Sequence, residues 1–307
     1  MQENFNIIKN GLVSLYVRHV PSKTKSNKAV ILMNSRSLCV ESSMGISMGT
    51  ISYADYLAEH GIHAFLLDMR GFGMSSVVQE QIKTDVNEIT KPVLPEDYYS
   101  DLMCCVQYIR SKIRGVEISV VGFSFAGALC VSFANKFPRV FKNLILLNTN
   151  WKRFKDDVFA YRILNDDDVN SNSPNAIITM DKINDRLVSA QPAGKNFIEP
   201  LWYEEVSREL MRCHQSYDQE SNSWKIAKFL LTDDFFQEIG LLSNIKENVL
   251  LLSSQYDAEN PIYVSNRLYK DLYCAKPYLR TIPNATHLCI WEKQRHYVYE
   301  STVELVK

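Results

Sequence analysis

No cluster of lysine or arginine forms a basic stripe in this chain. Its 34 basic residues stand against 35 acidic ones, for a formal net charge of −1. A protein that tracks a phosphate backbone needs such a stripe, so nucleic acid is not expected as a partner. Cys-x-x-Cys pairs are lacking as well. The cysteines number seven, an odd count, which points to reduced thiols and a cytoplasmic setting; the adjacent Cys104 and Cys105 fall in a helical pattern and read as core packing. Zinc-type His/Cys spacing is absent, so neither metal nor cofactor is expected. The amino terminus has no basic region leading into an unbroken apolar run, and no signal peptide is expected. The uncharged run over 118–135 approaches the length of a membrane span. Ser119, Gly122, Ser124, Gly127 and Ser132 interrupt it, and it divides into a strand, a turn and a helix, so no span is expected. No internal repeat is visible.

What is present is the composition of a globular protein, 46% hydrophobic and 22% charged. A length of 307 residues suffices for one large α/β domain, or for a domain carrying an insertion. The chain opens with a hairpin signal, Asn10-Gly11 between strand-like runs at 5–8 and 12–20. A buried strand follows at 29–33, then a helix at 52–59 closed by Gly61, and a strand at 62–68. A polar loop with Pro92 and Pro95 leads to a helix at 98–113. Next come a strand at 117–122, a helix at 126–135 and a strand at 144–147. The pattern resumes later with strands at 249–253 and 278–282 and a helix at 261–273. Asn260 is placed to cap that helix and Pro261 to begin it. A last helix starts at about residue 291. Alternating strands and helices of this kind predict a mostly parallel, twisted sheet with helices on both faces.

The rhythm changes between residues 151 and 243. Pro192, Gly194 and Pro200 punctuate a stretch that reads as several amphipathic helices without a buried strand. It is too long for a loop, and the expectation is an inserted helical cap (151–243) between two parts of the core, 1–150 and 244–307. Its aromatics, Trp202, Tyr203 and Trp224 with Tyr161, Phe229, Phe235 and Phe236, read mainly as the cap's own core.

One short run carries most of the chemistry. Val121-Gly122-Phe123-Ser124-Phe125-Ala126-Gly127 joins a predicted strand to a predicted helix. A serine on so tight a turn requires small residues two before and two after, and Gly122 and Ala126 meet that need. Gly127 lets the helix lie close to the sheet. The helix start behind the hydroxyl can stabilise developing negative charge. A serine nucleophile further needs an imidazole to take its proton and a carboxylate to orient that imidazole. Such groups gather at the carboxyl ends of strands. Asp257 follows the strand at 249–253, and His287 follows the last strand. The strand ending at residue 147 offers Asn148 and Asn150 but no carboxylate. Glu259 is the alternative acid, and a helix-capping or turn role is the rival reading of Asp257. His19, His60, His63, His214 and His296 follow no strand at that edge.

Other polar clusters have blander readings. Gly71 and Gly73 lack the strand-turn-helix frame of a dinucleotide site. Asp166, Asp167 and Asp168 resemble a calcium loop, but Ser171 and Ile177 stand where that loop needs glycine and glutamate.

Taken together the chain resembles the α/β-hydrolases that carry a helical cap. The order Ser124, Asp257, His287 is similar to the order of that family. Leu66-Leu67-Asp68-Met69-Arg70-Gly71-Phe72-Gly73-Met74-Ser75 is similar to its D-x-R-G-x-G-x-S signature. Asp101, and His287 with Trp291 and Glu292, also fit. The resemblance covers nearly everything outside the cap. It implies that Ser124 attacks an acyl carbonyl, His287 relays the proton and Asp257 orients the imidazole. The Phe125 N–H would form half of an oxyanion hole. The other donor is expected from Arg36, with Ser35 as the alternative, although this chain has Asn34-Ser35 where the family often has His-Gly. Phe123 and Trp151 are expected to line an apolar acyl pocket, while Asp68 and Arg70 are architectural. The implied activity is hydrolysis of a carboxylic ester or thioester with a bulky acyl group. The substrate would be a small acyl compound, free or carrier-bound. Relatives that open epoxides or remove halogens use aspartate where Ser124 stands. Acyl transfer or cyclisation on the same scaffold is the first alternative, and a non-catalytic ligand receptor the second.

Overall fold

The computed structural model describes residues 5–11, 13–35, 38–75, 94–151, 175–213, 217–227, 241–273 and 275–307. The sequence expectations for Arg36, Tyr161, Asp166, Asp167, Asp168, Phe229, Phe235 and Phe236 lie outside them.

The chain begins with a hairpin, β1 (Phe5–Asn10) and β2 (Val13–Val20), paired antiparallel. Gly11 sits at the turn with φ +62°, a backbone that glycine adopts without strain. The run Lys28–Met33 forms β3, and a five-residue π-helical turn, Glu41–Gly45, leads to α1 (Tyr53–Glu59). The Ser52 hydroxyl accepts the Asp55 N–H and caps α1. Gly61 takes φ +82° just beyond its end. Strand β4 (His63–Leu67) follows, then α2 (Pro95–Lys112), β5 (Glu117–Phe123), α3 (Phe125–Lys136) and β6 (Asn143–Leu147).

Between β6 and β9 the chain holds β7 (Asn175–Thr179), α4 (Met180–Ser189), α5 (Trp202–Cys213) and β8 (Ser223–Ala227). The core resumes with β9 (Asn248–Ser254), α6 (Ile262–Asp271) and β10 (Lys276–Ile282). A 3-10 turn at Cys289–Trp291 precedes α7 (Arg295–Val306).

Eight strands form one sheet in the order β1-β2-β4-β3-β5-β6-β9-β10. In that sheet the described pairings from β4 onward are parallel, while β1–β2 and β2–β4 are antiparallel. The mostly parallel sheet expected from the sequence is therefore present. Its inner strands are continuous apolar runs because both faces are covered. Helices α1 and α7 pack together, as do α2 and α3, and β6 is touched by both α3 and α7. All five residues of β6 are buried. The edge strand β10 is instead largely exposed and carries Lys276, Pro277 and Arg280, residues that discourage further strand pairing.

Four local expectations are corrected. Helix α2 starts at Pro95 rather than 98: proline suits the first helical turn, and Asp97 Oδ2 accepts the Leu94 N–H at 3.0 Å. Asn260 does not cap α6, whose cap position is Pro261; its amide donates instead to the Asn148 carbonyl at 2.9 Å. Helix α7 begins at Arg295, since residues 289–291 form the tighter turn. Finally, residues 151–243 are not wholly helical. Strands β7 and β8 pair antiparallel in a sheet of their own, with Trp224 opposite Ile178. Both of those side chains are buried.

Candidate active site

The turn between β5 and α3 is held open by what it leaves out. A Cβ on Gly122 would stand 2.7 Å from the backbone of Ala126 and Gly127. A Cβ on Gly127 would collide with the Thr149 side chain and approach the Gly122 carbonyl at 3.0 Å. With both hydrogens in place, Ser124 adopts φ +54°, ψ −112°, a conformation that non-glycine residues seldom take and that persists only where its surroundings fix it. The surroundings are backbone bonds. Ser124 N–H donates to the Leu147 carbonyl at 2.8 Å, and the Ser124 carbonyl accepts from Gly127 and Asn150 at 3.1 and 3.2 Å.

Two further loops reach the same edge. Asp257 lies just beyond β9 and His287 just beyond β10, and both are buried. Asp257 Oδ1 accepts the Glu259 and Asn260 N–H groups at 2.9 and 2.7 Å, while Oδ2 lies 2.9 Å from His287 Nδ1. The turn role and the histidine-orienting role are thus taken by different oxygens of one carboxylate. The carboxylate only accepts, so the ring hydrogen belongs on Nδ1 and the Nε2 lone pair faces Ser124 Oγ, 3.1 Å away. Burial pushes the imidazole toward its neutral form. The negative charges of Asp257 and then Glu259 outweigh that, and its pKa stands above the ordinary histidine value. Glu259 approaches the opposite ring nitrogen, with Oε2 3.5 Å from Nε2. It does not share the Asp257 position.

The remaining predicted residues divide. Phe123 ends β5 with its ring centroid 5.3 Å from that of His287, beside the site. Phe125 opens α3, and its buried ring meets Tyr98 edge-on. Trp151 is fully buried, and its indole N–H donates to Asp271 of α6 at 2.9 Å, an anchoring contact within the core. Ser35 is half-buried after β3. Beside it, Asn34 donates to the Leu38 and Cys39 carbonyls at 3.3 Å and so closes a loop that lacks the family's glycine.

The D-x-R-G-x-G-x-S run makes architectural contacts. Asp68 accepts the Val40 and Met74 N–H groups at 2.7 and 3.1 Å. Arg70 forks onto Asp101 at 2.9 and 2.6 Å and also reaches Asp97 at 2.8 Å. Among the described residues, no group of three His, Cys, Asp or Glu side chains could hold a metal ion. No described helix is long and apolar enough to cross a membrane.

Sequence reasoning passed over Arg186 and the role of Asn148, and it named Glu292 without giving it a contact. Asn148, noticed only for not being an acid, ties three strand ends together. Its Nδ2 donates to the His287 carbonyl at 2.8 Å and the Ser254 hydroxyl at 2.9 Å, and its Oδ1 accepts the Ser254 N–H at 2.8 Å. Glu292, buried, accepts the Thr286 N–H and hydroxyl at 2.8 and 2.6 Å, which steadies the residue before His287. Arg186 of α4 binds both oxygens of Glu259. An asparagine directly after a predicted strand was the available signal for Asn148, since few other residues tolerate the left-handed backbone, φ +44°, that it takes there. Arg186 had none.

Comparison with known proteins follows the same lines. A family model described as "alpha/beta hydrolase fold" matches residues 45–294. Abhydrolase domain-containing protein abhd-5.2 of Caenorhabditis elegans is 30% identical over 102 residues, 33% of this chain and 20% of that protein. The match therefore spans about a fifth of the relative's length. A soluble variant of monoglyceride lipase from Saccharomyces cerevisiae superposes with a TM-score of 0.64 at 14% identity, covering 100% of this chain and 97% of that one. The thioesterase domain from the curacin biosynthetic pathway does so with 0.63 at 14% identity, covering 99% and 100%. At such identities the two structures speak for the fold alone.

Proposed function

Because this chain belongs to the α/β-hydrolase family, we propose that it cleaves a carboxylic ester or thioester through an acyl-enzyme on Ser124. The observation that carries the reading is the unbroken relay Ser124 Oγ, His287 Nε2, His287 Nδ1, Asp257 Oδ2, with steps of 3.1 and 2.9 Å. In the first half-reaction Ser124 Oγ bonds to the acyl carbon while its proton passes to Nε2. The imidazolium is balanced by the Asp257 carboxylate. The Phe125 N–H at the start of α3 serves the oxyanion, with Ser35 or Arg36 supplying the second donor; losing one such donor costs about 10²–10³-fold in turnover. The carbon–oxygen or carbon–sulfur bond then breaks, and the leaving group takes the proton from Nε2. Water repeats the sequence on the acyl-enzyme and releases the acid.

Residues 151–243 act as a cap over this edge. Two contacts support that reading: Arg186 reaches Glu259, and Gln191 donates to Glu292 at 3.0 Å. Phe123 beside His287 favours an apolar acyl group, and enclosure by a cap favours a bulky one, presented free or on a carrier. Burial of both Ser124 and His287 also favours a second outcome, in which an alcohol, amine or internal nucleophile replaces water. Product ratios with and without an added acceptor separate the two.

Labelling with a fluorophosphonate probe tests the reading. Wild type is expected to label, and Ser124→Ala and His287→Ala are expected not to. Labelling that persists in Ser124→Ala removes the nucleophile, and absence of labelling in wild type favours a ligand receptor.

A further inference from the structure

Glu259 stands where a serine hydrolase has little use for a carboxylate. Asp257 already serves the Nδ1 side of the imidazole, yet Glu259 Oε2 lies 3.5 Å from Nε2, the nitrogen facing Ser124 at 3.1 Å. The two acceptors compete. Once the imidazole is protonated, its single Nε2 hydrogen favours the charged oxygen over a hydroxyl.

One restraint on Glu259 comes from residues 151–243. Arg186 donates from Nε to Oε1 at 2.6 Å and from Nη2 to Oε2 at 2.5 Å. The two side chains are only 16% and 18% exposed, so solvent screens them less than a surface pair. The guanidinium fork covers both oxygens in the one geometry that suits it.

We propose that Arg186 is a positioning residue: its two-point grip keeps Glu259 from capturing His287 Nε2 and so keeps the imidazole paired with Ser124. The inference rests on the serine-hydrolase reading above. Among the described residues, the groups facing the imidazole are Asp257 and Glu259 from the loop after β9, Arg186 from α4 and the Ser124 hydroxyl from the elbow. The two carboxylates favour the imidazolium and Arg186 opposes it. Removing Arg186 therefore acts twice in one direction, deleting a positive charge and loosening its two-point hold on a negative one. Removing Glu259 as well cancels the second effect.

The pH dependence of fluorophosphonate labelling of the full chain tests this without a known substrate. Arg186→Met is expected to slow labelling at neutral pH by about tenfold or more, as a charged acceptor displaces a neutral one, and to move the acid limb upward. Arg186→Met combined with Glu259→Gln is expected to recover most of that rate, with an acid limb below that of wild type. A merely structural role for Arg186 in seating α4 would lower stability in Arg186→Met while the folded fraction labels at the wild-type rate. Should Arg186→Met fail to fold, Arg186→Lys takes its place. It keeps the charge but loses the fork, and slower labelling cured by Glu259→Gln is again expected. A double variant no faster than the single one, or a folded Arg186 variant that labels at the wild-type rate, overturns the proposal. Wild type that labels independently of Ser124, or not at all, overturns the serine-hydrolase reading instead.

Discussion

Replacing Asn148 by alanine is expected to loosen the loop that carries His287. The side chain is fully buried and joins the His287 carbonyl to the Ser254 N–H through bonds of 2.8 Å each. Alanine leaves both groups without that partner in a dry interior, at about 1–3 kcal/mol apiece. The backbone adds its own cost. Asn148 has φ +44°, which asparagine tolerates and which costs alanine about 1 kcal/mol more. The sum is a loss of about 3–7 kcal/mol, a large part of a typical domain's stability. Urea denaturation measures it. Asn148→Gly isolates the backbone share, because it loses the same bonds without the strain; it should be more stable than Asn148→Ala by about 1 kcal/mol. Labelling should fall along with stability, since a reacting group displaced by about 1 Å can cost about 10²-fold. A loss under about 1 kcal/mol in Asn148→Ala, well below the cost of even one orphaned group with strain, together with unchanged labelling, would refute the reasoning.

Gly127→Ala should destabilise by about 1–3 kcal/mol through overpacking, because its methyl meets the Thr149 side chain. Calorimetry on Gly127→Ala with and without Thr149→Ala checks the cause, and a second substitution that recovers nothing would argue against it. Wild-type labelling should fall as pH drops through the His287 pKa, because only neutral imidazole takes the Ser124 proton. That pKa is raised, so the acid limb should lie above the range of free histidine, and Glu259→Gln should lower it. A limb at or below free histidine would contradict the charge balance described above.

The elements that were legible in the sequence are those whose signal is local. Asn10-Gly11 needs nothing beyond its own turn to mark a hairpin. The Gly122, Ser124, Gly127 spacing reports a steric demand met within six residues. Asp257 and His287 were found because each follows an apolar run long enough to read as a strand, and a parallel sheet brings such ends to one edge. The rest depends on distant partners. Strands β7 and β8 pair residues some fifty positions apart, from Asn175 with Ala227 to Thr179 with Ser223, and neither run is long or uniform enough to stand out. Asn260 looked like a cap because its sequence neighbours suit one; its amide was claimed by Asn148, which no local pattern reveals. The pairing of Arg186 with Glu259 likewise joins residues 151–243 to a core loop, and only the fold brings them within reach.

One bond pattern ties the stretch ahead of α5 to the histidine. Lys293 N–H donates to the Phe197 carbonyl at 2.8 Å and Glu199 N–H to the Trp291 carbonyl at 3.0 Å, around the bridge between Ile198 and Glu292. Glu292 in turn holds Thr286, the neighbour of the histidine. The stretch that leads into α5 is therefore laced to the same peptide that steadies the imidazole. Peeling back residues 197–199 would tug on that peptide, so a disturbance ahead of α5 would reach the histidine through Glu292 and Thr286.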